Sequence, residues 1–301
     1  MLYSHDDYEK DPFLAVDDIA ALLRDGCLTL FLGAGASAGF GLPEWMKLVA
    51  NVLGKGSDGK FVRELKKKSA EEVARLVDEV DNDTPEYVES VHKALYANAP
   101  LEILEILQKS ALLLSVAALV TGTCRGRIGT VFTYNYDDLL EQYLEMLGYS
   151  CCIRTHPSEF SRRADVEINH VHGFLPQRWK RGDNCSDIIL SERSFSRRRS
   201  EIDKGWGASI EHQLHSKCGL FIGMSGNDGS VLDVLLRAKN SIKRAADYTG
   251  FWLLTPDAYV KNRKRIVTVG MCPIKLQIGE IPKFIFKVCQ VASPKGCCLV
   301  E

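Results

Sequence analysis

Residues 27–45 read CLTLFLGAGASAGFGLPEW, and this stretch decides the fold. Leu28 to Leu32 is an unbroken apolar run suited to a buried strand, and it stops at the glycine-rich turn Gly33-Ala34-Gly35-Ala36-Ser37. Gly33 and Gly35 can take backbone angles closed to other residues and put no Cβ between main chain and ligand. Peptide N–H groups of such a turn, leading into a helix, suit a pyrophosphate. Dinucleotide-binding α/β folds open in this way. The pattern departs from G-x-G-x-x-G, because Ala38 stands at the third glycine and Gly39 comes one place late. A tight strand–helix turn without a ligand is the alternative.

At 301 residues and 46% hydrophobic, the chain is long enough for one large domain or two modest ones. A net charge of −1 predicts no general attraction to nucleic acid. The basic stretches Arg193 to Arg199 and Lys261 to Arg265 read as solvated helix faces. The ten cysteines include no C-x-x-C, so neither a zinc ribbon nor a thioredoxin-type site can be written. With no signal peptide recognisable, the expectation is free thiols in a reducing cytoplasm. The longest strongly apolar run, Ala111 to Val120, is too short to cross a bilayer. The terminal Cys298-Leu299-Val300-Glu301 has the outline of a prenylation box with an unusual last residue, and is taken as a frayed tail.

Residues 1–15 read as an acidic, irregular arm, and Val16 to Asp25 as a helix stopped by Gly26. Between about residues 58 and 122 helical periodicity dominates, which predicts an all-helical lobe inserted into an α/β domain formed by residues 16–57 and 123–301. Strands are predicted at Thr130 to Thr133, Cys151 to Arg154, Glu167 to Val171, Ile188 to Leu190, Gly219 to Met224, Phe251 to Leu254 and Ile274 to Ile278, with helices between most of them. Strands alternating with helices imply right-handed crossovers and a largely parallel sheet. Several strand ends carry the same punctuation, an apolar run followed by small or polar residues: GAGAS at 33–37, TYNYD at 133–137, VHG at 171–173 and GMSGND at 223–228. In a parallel sheet these ends share one edge and converge on one crevice.

Gly33-Ala34-Gly35-Ala36-Ser37, Thr133-Tyr134-Asn135-Tyr136-Asp137, His172-Gly173 and Gly223-Met224-Ser225 stand in the order of the sirtuin superfamily motifs, and the chain resembles that family from Cys27 to about Pro256. The deacylases of the family carry two C-x-x-C pairs after the histidine, where this chain has only Cys185, and an aspartate-phenylalanine-arginine after the proline, which is missing here. Those departures, with the ILSERSF segment at 189–195, are similar to the zinc-less sirtuin-like domains of prokaryotic antiviral defence systems. The resemblance implies a Rossmann-like, doubly wound α/β fold that binds NAD, uses no zinc and hydrolyses the nicotinamide–ribose bond. It also implies a homo-oligomer or an activating partner, such as a DNA-translocating ATPase of the HerA kind.

By the same resemblance Gly33, Ala34, Gly35 and Ser37 hold the pyrophosphate, while Gly223 and Ser225 hold the phosphate–ribose side. Asn135 orients a water or the nicotinamide ribose, Asp137 reads the nicotinamide amide, and His172 serves as base. By residue type alone, Asn135 or Asp137 could instead cap the helix starting near Asp138, and His172 could be a buried, hydrogen-bonded histidine. His170, two residues before His172, makes an H-x-H metal pair conceivable, but no carboxylate or cysteine at metal spacing supports it. A protein deacylase and a non-catalytic NAD- or ADP-ribose-binding module remain the alternative functions.

Overall fold

The computed structural model describes residues 4–38, 41–56, 59–99, 105, 110–122, 127–160, 163–180, 188–242 and 248–293, with backbone alone at 200–202. Gly39, Cys124, Cys185, Cys297, Cys298 and most of the predicted helical stretch 101–109 lie outside the described residues. A parallel seven-stranded sheet runs in the order β3-β4-β2-β1-β5-β6-β7. Its strands are β1 Leu28–Leu32, β2 Thr130–Thr133, β3 Cys151–Arg154, β4 Val166–His170, β5 Cys218–Ile222, β6 Gly250–Leu254 and β7 Met271–Lys275. The fold is a Rossmann-like α/β fold.

Period-2 alternation divides the core between the two faces. Leu28, Leu30 and Leu32 point to one side, where α2 (Ala15–Arg24), α7 (Ala111–Thr121), α8 (Leu139–Met146) and α13 (Ile281–Ala292) pack. Phe31 points to the other side, toward α10 (Gly207–Ser216), α11 (Gly229–Ser241) and α12 (Pro256–Thr268). On that second face Phe132, Phe31, Phe221 and Trp252 stack across adjacent strands, with centroids 5.3, 4.2 and 4.5 Å apart. Offset aromatic contacts of this kind add to plain area burial, and the stack ties the central strands β2-β1-β5-β6 together.

Between β1 and β2 the chain also forms α3 (Trp45–Val52), α4 (Gly59–Leu65), α5 (Ala70–Val77) and α6 (Pro85–Tyr96), of which α3 packs on each of the other three. Capping delimits them: Ser69 and Glu72 make a reciprocal box on α5, and Thr84 caps α6 with Pro85 in the first turn. This group is fastened to α9 (Glu192–Ser200), where Asp78 accepts from the Arg193 amide, Asp81 from Ser191, and Asp83 from Arg197.

Three expectations change. Residues 5–14 are ordered as α1 (His5–Lys10) and a 3₁₀ turn, because Tyr8 is buried edge-on against Phe251. Ile188 to Leu190 is not a strand: the Ile189 N–H goes to the His172 carbonyl and the Leu190 N–H to Ser194 Oγ, so neither joins a ladder. The last strand is Met271–Lys275 rather than 274–278, since Gly270 (φ +81°) turns the chain straight out of α12. Pro273 is tolerated there because β7 is an edge strand. Among the described residues no helix is long and apolar enough to cross a membrane.

Candidate active site at the strand ends

β1 has β2 on one side and β5 on the other, so the chain reverses its winding direction at β1. In open α/β sheets ligands bind outside the carboxyl ends of the strands at such a switch point. Backbone bonds continue past the strand ends here, from Tyr134 N to Leu32 O, from Val171 N to Thr133 O and from Gly33 N to Ile222 O. The motif residues at 33–37, 133–137, 171–173 and 223–225 therefore do share one edge.

The glycine turn leans on the end of β5. Gly35 N–H donates to the Gly223 carbonyl at 2.9 Å, and a Cβ on Gly35 would sit 2.9 Å from Gly223 Cα. Gly223 itself has φ +74°, the left-handed region that favours glycine. The turn coils as a 3₁₀ helix over Ala34–Ala36, in which Ala36 N–H donates to Gly33 O and Ser37 N–H to Ala34 O. Gly33, Gly35, Ala36 and Ser37 thus all donate their amides within the protein. Gly35 and Gly223 serve first to let two backbones touch. Ser225 lies exposed beyond Gly223, its carbonyl held by Asn262 Nδ2 at 2.7 Å.

Ser37, Asn135 and Asp137 come together under this turn. Asn135 Nδ2 donates to Ser37 Oγ at 3.0 Å, and the Ser37 hydroxyl lies near enough to the Asp137 carboxylate to favour its ionised form. All three are buried, and Asn135 Oδ1 has no hydrogen-bond partner among the described residues. A buried acceptor left open in this way normally has a function or a ligand to explain it. Asp137 also accepts from the Leu139 amide at 3.4 Å, so the helix-capping role foreseen for it coexists with its place in the cluster. Burial, then the nearby charge of Glu141, push the Asp137 carboxyl up to about 7 against the opposing Ser37 hydrogen bond. A recess beside these groups is lined by Ala36, Ser37, Asn135, Asp137, Leu140 and Glu141.

The two histidines part company. His170 turns inward, with Nε2 2.7 Å from Glu141 Oε1 and Nδ1 3.1 Å from the Asn135 carbonyl. His172, just past the strand and before Gly173 (φ +103°), packs edge-on against Tyr134 at 4.9 Å. Its Nε2 is buried without a hydrogen-bond partner among the described residues, and Asp228 Oδ2 is 3.9 Å away. Desolvation pulls the His172 pKa below its ordinary value; Asp228 works against this and the buried Arg198 works with it. The His172 environment therefore favours the neutral imidazole, with Nε2 open among the described residues, while His170 has both ring nitrogens engaged and forms no H-x-H pair with it.

Sequence reasoning missed Glu141. Its signal was present: it stands four residues after Asp137 and three before Leu144, on the inner stripe of α8, where a carboxylate demands a partner. Its partner shares the inward alternation of Val166, Ile168 and His170 on β4. Arg198 and Asp228, the charges that set His172, were likewise not singled out as site residues.

Residues 129–273 match the family model of the SIR2-like domain. The match supports a place in the sirtuin-like superfamily and is consistent with an NAD-related activity. No curated protein matches the chain. The SIR2-like span begins just ahead of β2 and ends within β7, so it includes Asn135, Asp137, His172, Gly223 and Ser225. The glycine turn at 33–37 precedes it, and joins it in space through Gly223 and Asn135. Among the described residues Cys27, Cys151, Cys152, Cys218, Cys272 and Cys289 are free thiols.

Proposed function

We propose that this chain is an NAD glycohydrolase that adds water across the nicotinamide–ribose bond, releasing nicotinamide, ADP-ribose and a proton. The observation that carries the proposal is the buried run Asn135–Ser37–Asp137, with an open amide oxygen, at the switch point of a SIR2-like sheet. Bond cleavage develops cationic character on the ribose, so the site must position the reactants, stabilise positive charge and accept a proton. Asn135 Oδ1 is an acceptor for the attacking water or a ribose hydroxyl. Asp137, poised near neutrality, accepts from the carboxamide of nicotinamide when ionised and donates to it when protonated. The neutral His172, with Nε2 open, is the base. Ala34 and Gly35 are half-buried and Ser225 is exposed, which leaves them accessible to the pyrophosphate and adjoining ribose; Gly33 and Gly223 hold that side in shape.

No step here needs zinc. Unchecked, such an activity drains the cell of NAD, and the family resemblance supports an effector of antiphage defence. Its trigger would then be self-assembly into a homo-oligomer or a partner such as a HerA-type ATPase. The test is nicotinamide release by the purified chain, alone and with the proteins encoded beside it. Release together with ADP-ribose supports the proposal. Deacylation of an acyl-peptide coupled to NAD consumption makes it a deacylase instead, and NAD binding without nicotinamide release under every activating condition makes it a regulatory module.

A further inference from the structure

We infer that Glu141 and His170 form a proton-sharing pair that positions Asn135 through its main-chain carbonyl, a role that rests on Asn135 being a reacting residue. His170 is fully buried and Glu141 nearly so, and the edge of Phe174 covers the imidazole at 4.5 Å. The Asn135 carbonyl can only accept, so the contact at 3.1 Å requires a hydrogen on His170 Nδ1. The contact at 2.7 Å between Nε2 and Glu141 then needs a second proton, on the ring or on the carboxyl. Either arrangement holds one proton more than a neutral imidazole beside a carboxylate. When that proton leaves, one contact must break: a bare Nε2 faces the carboxylate, or a bare Nδ1 faces the carbonyl.

Asn135 is otherwise tied by its amide to Thr133 Oγ1 at 3.1 Å and by Nδ2 to Ser37. The carbonyl is the anchor that the His170 proton controls. The groups facing His170 are Glu141 from α8 and Asp137 from the loop before it, while Asp138, Tyr96 and Cys151 bear on Glu141 or its neighbours. Burial pulls the His170 pKa down, but the charge and hydrogen bond of Glu141, aided by the Asn135 carbonyl and Asp137, outweigh it and leave it raised. The direction of that shift agrees with the two contacts, which together require the protonated pair. His170 and Glu141 are positioning residues, since neither is placed in contact with NAD.

The full chain labelled with ¹⁵N-histidine tests this, with the His170 resonances assigned through His170→Gln. Three wild-type midpoints should coincide above the ordinary histidine value of 6.5: loss of the His170 proton, faster amide exchange over residues 134–137, and the fall of kcat for NAD cleavage. Glu141→Gln should move the His170 titration to lower pH and reduce kcat at pH 7 by roughly tenfold or more, with KM for NAD changed less than about twofold. A His170 that is neutral at pH 6 in the wild type overturns the pair. A titration that leaves exchange over 134–137 unchanged overturns the positioning. If Glu141→Gln does not fold, the coincidence of the wild-type midpoints decides. If the wild type cleaves no NAD under any activator, the proposed function fails, while resonance and exchange still decide the pair.

Discussion

Around His170 both ring nitrogens have a polar partner: Glu141 at one and the Asn135 carbonyl at the other. Around His172, two residues further along, there is an aromatic edge, a carboxylate just beyond hydrogen-bond range and a buried guanidinium that disfavours a second positive charge. Both rings lose water, and burial alone pushes both toward neutrality. The partners decide the outcome, with His170 held above the ordinary histidine value and His172 below it. One strand end thus supplies a fixed proton on one side of the sheet edge and a free base on the other.

The comparison breaks most sharply through catalysis. His172→Ala should reduce NAD cleavage by about 10²- to 10⁴-fold, the usual scale of general-base help, while melting at the wild-type temperature. Asn135→Ala and the double variant should fall to a similar level, because residues acting in one step are not additive. Normal cleavage by folded single variants would refute the catalytic assignment.

Stability should show the reverse pattern. His170→Ala strands the buried Glu141 carboxylate, and breaking a buried pair from one side costs about 3–5 kcal/mol. Thermal or denaturant unfolding of His170→Ala beside His172→Ala checks this; equal stability would show that the Glu141 contact contributes nothing.

Gly35→Val is next in size. Its branched side chain must push the turn off Gly223, and overpacking of this kind costs about 1–3 kcal/mol. A lower Tm and weaker NAD binding in calorimetry should appear together. Lost binding at an unchanged Tm would mean that the glycine serves the ligand directly rather than the packing.

Asp137 and His172 give smaller, pH-dependent effects. The folded-state value of Asp137, about 7, lies above its ordinary 3.8, so its contribution to stability is complete below about pH 3.8 and is lost as pH rises through 7. The wild-type Tm should therefore decline over that window more than that of Asp137→Asn; parallel curves would refute the shift. For His172, lowered from its ordinary value of 6.5, the acid limb of kcat/KM should fall below pH 6.5. Asp228→Asn, which removes the carboxylate that favours protonation, should move that limb slightly further into acid.

The sequence by itself determined the sheet class, most strand positions and the strand ends that make the edge. These are local signals: Leu28 to Leu32 is apolar throughout and the next residues are small, so a buried strand must end at Gly33. Ser37, Asn135 and Asp137 each stand just past an apolar run, but it was the resemblance to the sirtuin motifs that singled them out as site candidates. Ile188 to Leu190 misled because a short apolar run looks like a strand whether its amides find a ladder or, as here, His172 and Ser194.

Only the tertiary structure decided which of these groups meet and in what charge state. That Gly35 bonds Gly223, that Asn135 leans on Ser37, and that His170 rather than His172 finds a carboxylate depend on β1, β2, β4 and β5 being neighbours. A pKa follows from burial and from charges a few ångströms away in space. Those charges come from Glu141 on α8, Asp228 ahead of α11 and Arg198 on α9, whose distances from the two histidines the order of the chain does not contain.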